Sequence, residues 1–212
     1  MNDVIRLKQS EPLANGNARL VFQHPTNFNY LIKVIRPDII EKRFGSGTSF
    51  FRFKRNRRYG QYNSFHREIQ EYIASRAESE TSPSFLQEII GFIDTDLGLG
   101  LIVRAIKQPD GSLAPTLNQL IKEHQFNSRA EEGLSIFLKN MLQSRVVFSD
   151  MNINSLVYSQ QNNLFVMIDG LGITNPIPLK ALNSWVNRRS KLKRFARLQD
   201  RIACYKRKYN HP

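Results

Sequence analysis

Residues 145–172, RVVFSDMNINSLVYSQQNNLFVMIDGLG, constrain the fold more than any other part of the chain. An apolar run, Val146, Val147 and Phe148, delivers the carboxylate of Asp150 into a polar loop. Two β-like runs follow at 156–158 and 164–168, joined by the turn-forming Gln160, Gln161, Asn162 and Asn163. The second run ends on Asp169, with Gly170 and Gly172 after it. A hairpin with an aspartate at each end can aim both carboxylates into one cleft. Such a layout holds a base and a metal ligand on either side of a transferred phosphoryl group. A surface hairpin with ordinary loop aspartates has the same local sequence, so the remaining residues must choose between them.

A length of 212 residues with 41% hydrophobic content suits one globular domain, or one domain of two lobes. No apolar run reaches the ~18 residues of a membrane span, and the first residues lack the apolar core of a signal peptide. A lone cysteine, Cys204, excludes a disulfide framework and a thiol-based metal site. The expected home is the cytoplasm, with the inner membrane surface as a peripheral location. The net charge of +13 predicts attraction to polyanions: nucleotides, nucleic acid or an anionic lipid surface.

Residues 4–13 begin with β-type alternation, and strand-like runs follow at 19–22 and 30–35. This predicts a three-strand meander with a glycine-bearing turn at 14–18. Backbone N–H groups in such a turn can close over phosphates; an ordinary hairpin turn is the alternative. Lys33 stands among β-branched residues in LIKVI, where an unpaired buried ammonium is expensive. It therefore has a partner, or lies on an edge strand and points to water. Residues 50–59, FFRFKRNRRY, interleave cations with aromatics, which suits single-stranded nucleic acid, an anionic membrane surface or a solvated loop. Ser64 is a suitable N-cap for a helix with Ile69, Tyr72 and Ile73 as its apolar stripe. On that helix Glu68 or Glu71 can turn inward to pair with Lys33.

Segments 83–96 and 97–106 read as two antiparallel strands, and a connector at 107–111 follows. The pattern then becomes helical. One helix opens at Thr116, and a second is capped by Ser128, with Leu134, Phe137, Leu138, Met141 and Leu142 at core spacing. Beyond a proline-marked loop at 175–178 comes a basic tail helix. Trp185, Leu192, Phe195 and Leu198 are expected on one side of it, opposite Arg188, Arg189, Lys191, Lys193, Arg194 and Arg197.

The order of these parts is restrictive: glycine turn, strand lysine, helix glutamate, strands, helices, then two aspartates. The chain resembles the protein-kinase-like superfamily and, along most of its length, the small bacterial YrbL family of PhoP regulatory network proteins. The resemblance is carried by PLANGNARLVFQHP, LIKVI, FHREIQEY, the block from TDLGLGLIV to DGS, VVFSDMNINSLVY, and IDGLG running on into IPLKALNSW. It implies an α+β, minimal two-lobed kinase-like fold. The N-lobe would be β-rich with one helix at 1–107, and a small, truncated helical C-lobe with the basic tail would occupy 108–212. ATP and Mg²⁺ are implied as cofactors. Gly16 and Val21 match the second glycine and the adenine-covering valine of the phosphate loop. Lys33 matches the phosphate-binding lysine, Glu68 its helix partner, Asp150 the catalytic-loop aspartate and Asp169 the metal-binding aspartate.

The departures matter as much. Ala14 and Arg19 replace two loop glycines, which stiffens the turn. Ser155 occupies the position of the family's metal-binding asparagine; Asn154 comes one residue early and Asn152 two after the aspartate. Asn154 and Ser155 are thus the candidate metal ligands beside Asp169. The protein-kinase activation segment and its substrate platform are not visible after Gly172, so the acceptor is expected to be a non-protein hydroxyl or one of unknown class. The resemblance implies an ATP-dependent phosphotransferase, with a catalytically silent pseudokinase that binds a regulatory partner as the alternative. Nucleic-acid binding through the basic–aromatic patch is the second alternative. The 50–59 patch and the 188–197 tail suit an anionic membrane surface or other polyanion.

Overall fold

Strand alternation in the first half of the chain and 3.6-residue periodicity in the second produce two different kinds of structure. The computed structural model describes residues 4–44, 58–77, 83–172 and 183–210. The chain divides into two compact units: Met1–His66 with Glu88–Ala105, and Arg67–Gln87 with Ile106–Pro212.

The first unit is built on five strands: β1 (Ala14–Asn15), β2 (Arg19–Gln23), β3 (Tyr30–Ile35), β4 (Ile89–Thr95) and β5 (Gly98–Arg104). They form an antiparallel sheet of order β1-β2-β3-β5-β4. β3 is central, so the edge-strand alternative for it does not hold. Leu7, Phe22, Ile32 and Val34 form a buried cluster with Ile5, Leu20, Ile93 and Leu97 packed against it. Most of the expected first strand at 4–13 is not part of this meander, which it meets at Leu13, whose amide donates to the Val21 carbonyl at 2.8 Å. Instead Ile5 bridges Thr95 in parallel along β4, and the Asp96 carboxylate accepts hydrogen bonds from the Leu7 and Lys8 amides at 2.7 and 3.3 Å. Those amides are thus bonded to a side chain instead of a neighbouring strand. Helix α1 (Pro37–Phe44) was not foreseen. Its signals are local: proline at the first helical position and Asp38 in the first turn, where a negative charge meets the helix dipole.

Helix α2 (Asn63–Ala77) contains the division between the units. The predicted Ile69–Tyr72–Ile73 stripe is not its buried side. Ile73 is 60% exposed, whereas Phe65, Glu68, Glu71 and Ser75 are buried. A helix that hides glutamates and exposes isoleucine is placed by specific polar contacts rather than by its hydrophobic pattern.

The second unit holds α3 (Leu117–Lys122), α4 (Ser128–Gln143), the antiparallel hairpin β6 (Leu156–Ser159) and β7 (Leu164–Met167), and α5 (Ser184–Asn210). Thr116 caps α3 through a full capping box with Gln119. Asn127, not Ser128, caps α4: its side chain accepts from the Ala130 amide. The core joins α3, α4, the hairpin and α5 through Leu117, Phe137, Met141, Phe148, Leu156, Phe165 and Leu198, among others. The α+β class is therefore met, with a five-stranded antiparallel sheet in one unit and a helical unit with a short hairpin in the other. Among the described residues no helix is long and apolar enough to cross a membrane. Residues 50–57 of the basic–aromatic patch and the loop at 175–178 lie outside the described residues.

Candidate functional site

In the first unit, backbone register sets the site residues. Val21 on β2 faces Lys33 on β3 as its strand partner, and Leu101 on β5 faces Lys33 from the other side. The Lys33 side chain is buried, only 4% exposed. Gly16 lies in the turn between β1 and β2, where its amide donates to the Arg19 carbonyl at 2.9 Å. That N–H is consumed inside the turn. Arg36, which carries no signal of its own in the sequence, reaches the same turn; its Nη1 donates to Asn15 Oδ1 at 2.9 Å and to the Gly16 carbonyl at 3.2 Å. An ion pair with Asp38 at 2.8 Å orients the guanidinium. The nearest thing to a sequence sign of this clamp is the pair of charges around Pro37.

In the second unit, loops carry the site residues. Phe148 forms an antiparallel bridge with Leu171. Next to it, the Ser149 and Asp150 amides both donate to the Gly170 carbonyl, at 2.8 and 3.2 Å, and Ser149 Oγ donates to it at 2.9 Å. The segment bearing Asp150 and the segment bearing Asp169 therefore run side by side, both aspartates exposed. The closeness depends on glycine. A Cβ on Gly170 would stand 2.2 Å from the Asp150 carbonyl oxygen, and one on Gly172 would stand 2.7 Å from Arg67 Cβ on α2. Both glycines also have positive φ, +87° and +88°. The Asp-Gly-Leu-Gly spelling thus has a packing reason at each glycine.

Three side chains, Glu71, Lys191 and Arg194, bond to the backbone of these loops or of the segment that leads into them. Glu71 on α2, 8% exposed, accepts from the Val147 amide at 2.7 Å. It was expected as an alternative partner for Lys33, and this bond gives it another task. Burial pushes its carboxyl pKa up, opposed by the Val147 amide and the Lys191 charge. Lys191, expected to face solvent, is 1% exposed; it donates to the Met141 and Ser144 carbonyls at 2.7 and 2.6 Å, at the C-terminus of α4. Arg194 donates through Nε and Nη2 to the Ser149 carbonyl at 3.2 and 3.0 Å, and also contacts Ser190 Oγ. Desolvation lowers its pKa, with the neighbouring Arg197 charge acting the same way and Asp150 opposing it.

The candidate metal ligands are not equivalent. Ser155 is 4% exposed, and its hydroxyl donates to the Asn152 carbonyl at 2.9 Å and accepts from the Asn152 amide at 3.0 Å. Its proton and one of its two lone pairs are thus engaged within the loop. Asn154 is exposed, and its Oδ1 accepts from Asn118 Nδ2 at 2.9 Å; Asn118 Oδ1 is itself buried without a hydrogen-bond partner. Asn152 donates to Asp150 Oδ2 at 3.0 Å and accepts from the Asn154 and Ser155 amides. Among the described residues no three of His, Cys, Asp and Glu are grouped to cage a metal. A Mg²⁺ ion does not require such a cage, since it binds through one or two carboxylates, waters and substrate phosphates. Asp169 and the exposed Asn154 carry hard oxygen donors of the kind that ion takes.

The family model described as PhoP regulatory network protein YrbL matches residues 5–203. The chain belongs to the YrbL family. No curated protein matches it. Solved structures that resemble this YrbL family chain include WbdD in complex with the kinase inhibitor LY294002, at 12% identity and TM-score 0.47, over 81% of this chain and 34% of that one. A second WbdD structure resembles it at the same identity and TM-score, over 82% and 35%. The chain thus spans about a third of the WbdD chains it resembles.

Proposed function

We propose that this YrbL family chain is an ATP- and Mg²⁺-dependent phosphotransferase acting on a hydroxyl acceptor. The observation that carries the reading is the pairing of the Asp150 and Asp169 segments through the Gly170 carbonyl. In this reading Asp150 accepts the proton of the acceptor hydroxyl as that oxygen bonds to phosphorus and ADP departs. Asn152, bonded to Asp150, holds its carboxylate in one orientation. Asp169, with Asn154, would hold Mg²⁺, which when bound screens the phosphate charge. Lys33 would contact the α- and β-phosphates with Glu68 as its helix partner, and Gly16 and Val21 would cover the nucleotide.

The test is ATP turnover by the purified chain with Mg²⁺. Asp150→Asn is expected to lower the rate roughly a thousandfold, and Asp169→Asn or Lys33→Met to abolish it. Unchanged turnover in Asp150→Asn sinks the proposal. A second reading, a nucleotide-binding pseudokinase, is favoured by two observations: the Gly16 amide is satisfied within its turn, and the Ser155 hydroxyl within its loop. Thermal stabilisation by ATP that is indifferent to Mg²⁺, without turnover, would select it.

A further inference from the structure

Helix α5 has a buried stripe and an outward face that its sequence pattern alone does not separate. Asn187, Lys191, Phe195, Leu198 and Ile202 recur every three or four residues and are buried, 0–7% exposed. Trp185 and Leu192 fall outside that stripe. They are 64% and 44% exposed, which corrects the expectation that they share a side with Phe195 and Leu198. Around them stand Arg188, Arg189, Lys193 and Arg197, all exposed, and the Arg189 guanidinium lies 5.4 Å from the centre of the Trp185 ring.

We propose that this face of α5 docks on an anionic lipid bilayer. Trp185 and Leu192 enter the boundary between headgroups and acyl chains, and the four cations meet the lipid phosphates. The proposal goes beyond phosphotransfer and does not depend on it. Three features choose the occupant. A second copy of the chain would bring the same cations against themselves. A nucleic acid would use the cations but has little use for Leu192 or the adjacent exposed Ala196, and one face of the Trp185 ring is already covered by Arg189. An amphipathic helix face with tryptophan and leucine at the centre and arginine and lysine around them matches a bilayer interface in both chemistry and charge.

The chain contains a single tryptophan, so its fluorescence reports on Trp185 alone. The full chain is mixed with vesicles of phosphatidylglycerol and phosphatidylcholine, with pure phosphatidylcholine vesicles, and with single-stranded RNA. Co-sedimentation with the anionic vesicles and a blue shift of the emission are expected, with neither on phosphatidylcholine. Arg189→Gln and Lys193→Gln should each weaken vesicle binding roughly fivefold. Leu192→Asp should reduce both binding and blue shift, and Trp185→Ala should reduce sedimentation; both positions are exposed, so the fold is retained. Binding to anionic vesicles with an unshifted tryptophan overturns the proposal. So does failure to bind them at low salt, or RNA binding that quenches Trp185 more strongly than vesicles shift it.

Discussion

Lys33 and Asp150 are held in place by opposite means. Lys33 sits in the middle of a sheet, with a backbone ladder on each side running through Val21 and Leu101. Its Cα position is shared among many hydrogen bonds, none decisive. Asp150 and Asp169 lie beyond the ends of regular structure, and their placement rests on one glycine carbonyl, one arginine fork and one buried glutamate. A position held by a ladder tolerates changes around it, whereas one held by a few polar contacts can be lost through any of them. Substitutions at those few contacts can break or sharpen the distinction.

The largest effect is expected at Gly170. Alanine there meets the Asp150 carbonyl oxygen at 2.2 Å in a backbone with φ +87°, so the two aspartate segments must part. Gly111 has nearly the same φ, +85°, but open space where a Cβ would stand, and so isolates the backbone cost. Denaturant unfolding should show Gly111→Ala destabilised by about 1 kcal/mol and Gly170→Ala by roughly 3 kcal/mol. Equal losses would mean that the close approach of the two loops is not what the glycine serves.

Arg194 comes next. Arg194→Met leaves the Ser149 carbonyl without both of its guanidinium donors, at a cost of about 2 kcal/mol. Arg194→Lys keeps a charge near Asp150 but cannot offer the fork, and should lose about half as much. If both variants unfold like the parent, α5 does not brace the Asp150 loop.

The same contrast explains what was legible in the sequence. β2, β3, β4, β5 and the 156–167 hairpin could be read because period-two alternation and turn residues report directly on a ladder. The segments carrying Asp150 and Asp169 could be located for the same reason, since each follows an apolar run. Their supports could not. Lys191 and Arg194 look like surface charges on a helical pattern, Glu71 reads as an alternative to Glu68 for pairing with Lys33, and only tertiary contacts with the Val147 amide and the Met141, Ser144 and Ser149 carbonyls show their tasks. Trp185 misled for the converse reason. A large apolar residue on an amphipathic helix is normally assigned to the core, and here the core stripe passes beside it. The shortfall at residues 4–13 has a similar cause: Asp96 captures amides that alternation had promised to a strand.

Glu71 sharpens the comparison through pH. Its folded-state pKa is raised by burial, so the stability that goes with protonation is complete below the usual glutamate range and is lost as pH rises through the folded value. Glu71→Gln keeps an oxygen for the Val147 amide and has no charge to desolvate. The parent should therefore fall behind Glu71→Gln as pH rises from acid towards neutral, in parallel unfolding titrations. Glu71→Leu removes the acceptor altogether and should stand about 1.5 kcal/mol below Glu71→Gln at every pH. A parent-to-glutamine difference that stays constant with pH would show that the carboxyl's burial does not penalise its charge.

The smallest effect belongs to Asp96, which applies the loop mode of support to the sheet unit itself. Its carboxyl pKa is lowered chiefly by the Leu7 amide. A depressed carboxyl contributes stability that is present above the usual aspartate range and lost as pH falls through the folded value. Because Asp96 is solvent-accessible, the loss should be local: Asp96→Asn should speed hydrogen exchange at the Leu7 and Lys8 amides and leave the β3 amides between Leu31 and Val34 protected. Exchange that quickened in β3 as well would mean that the 4–13 segment supports the ladder rather than merely lying along it. The clean contrast between ladder-held and contact-held positions would then fail inside the first unit.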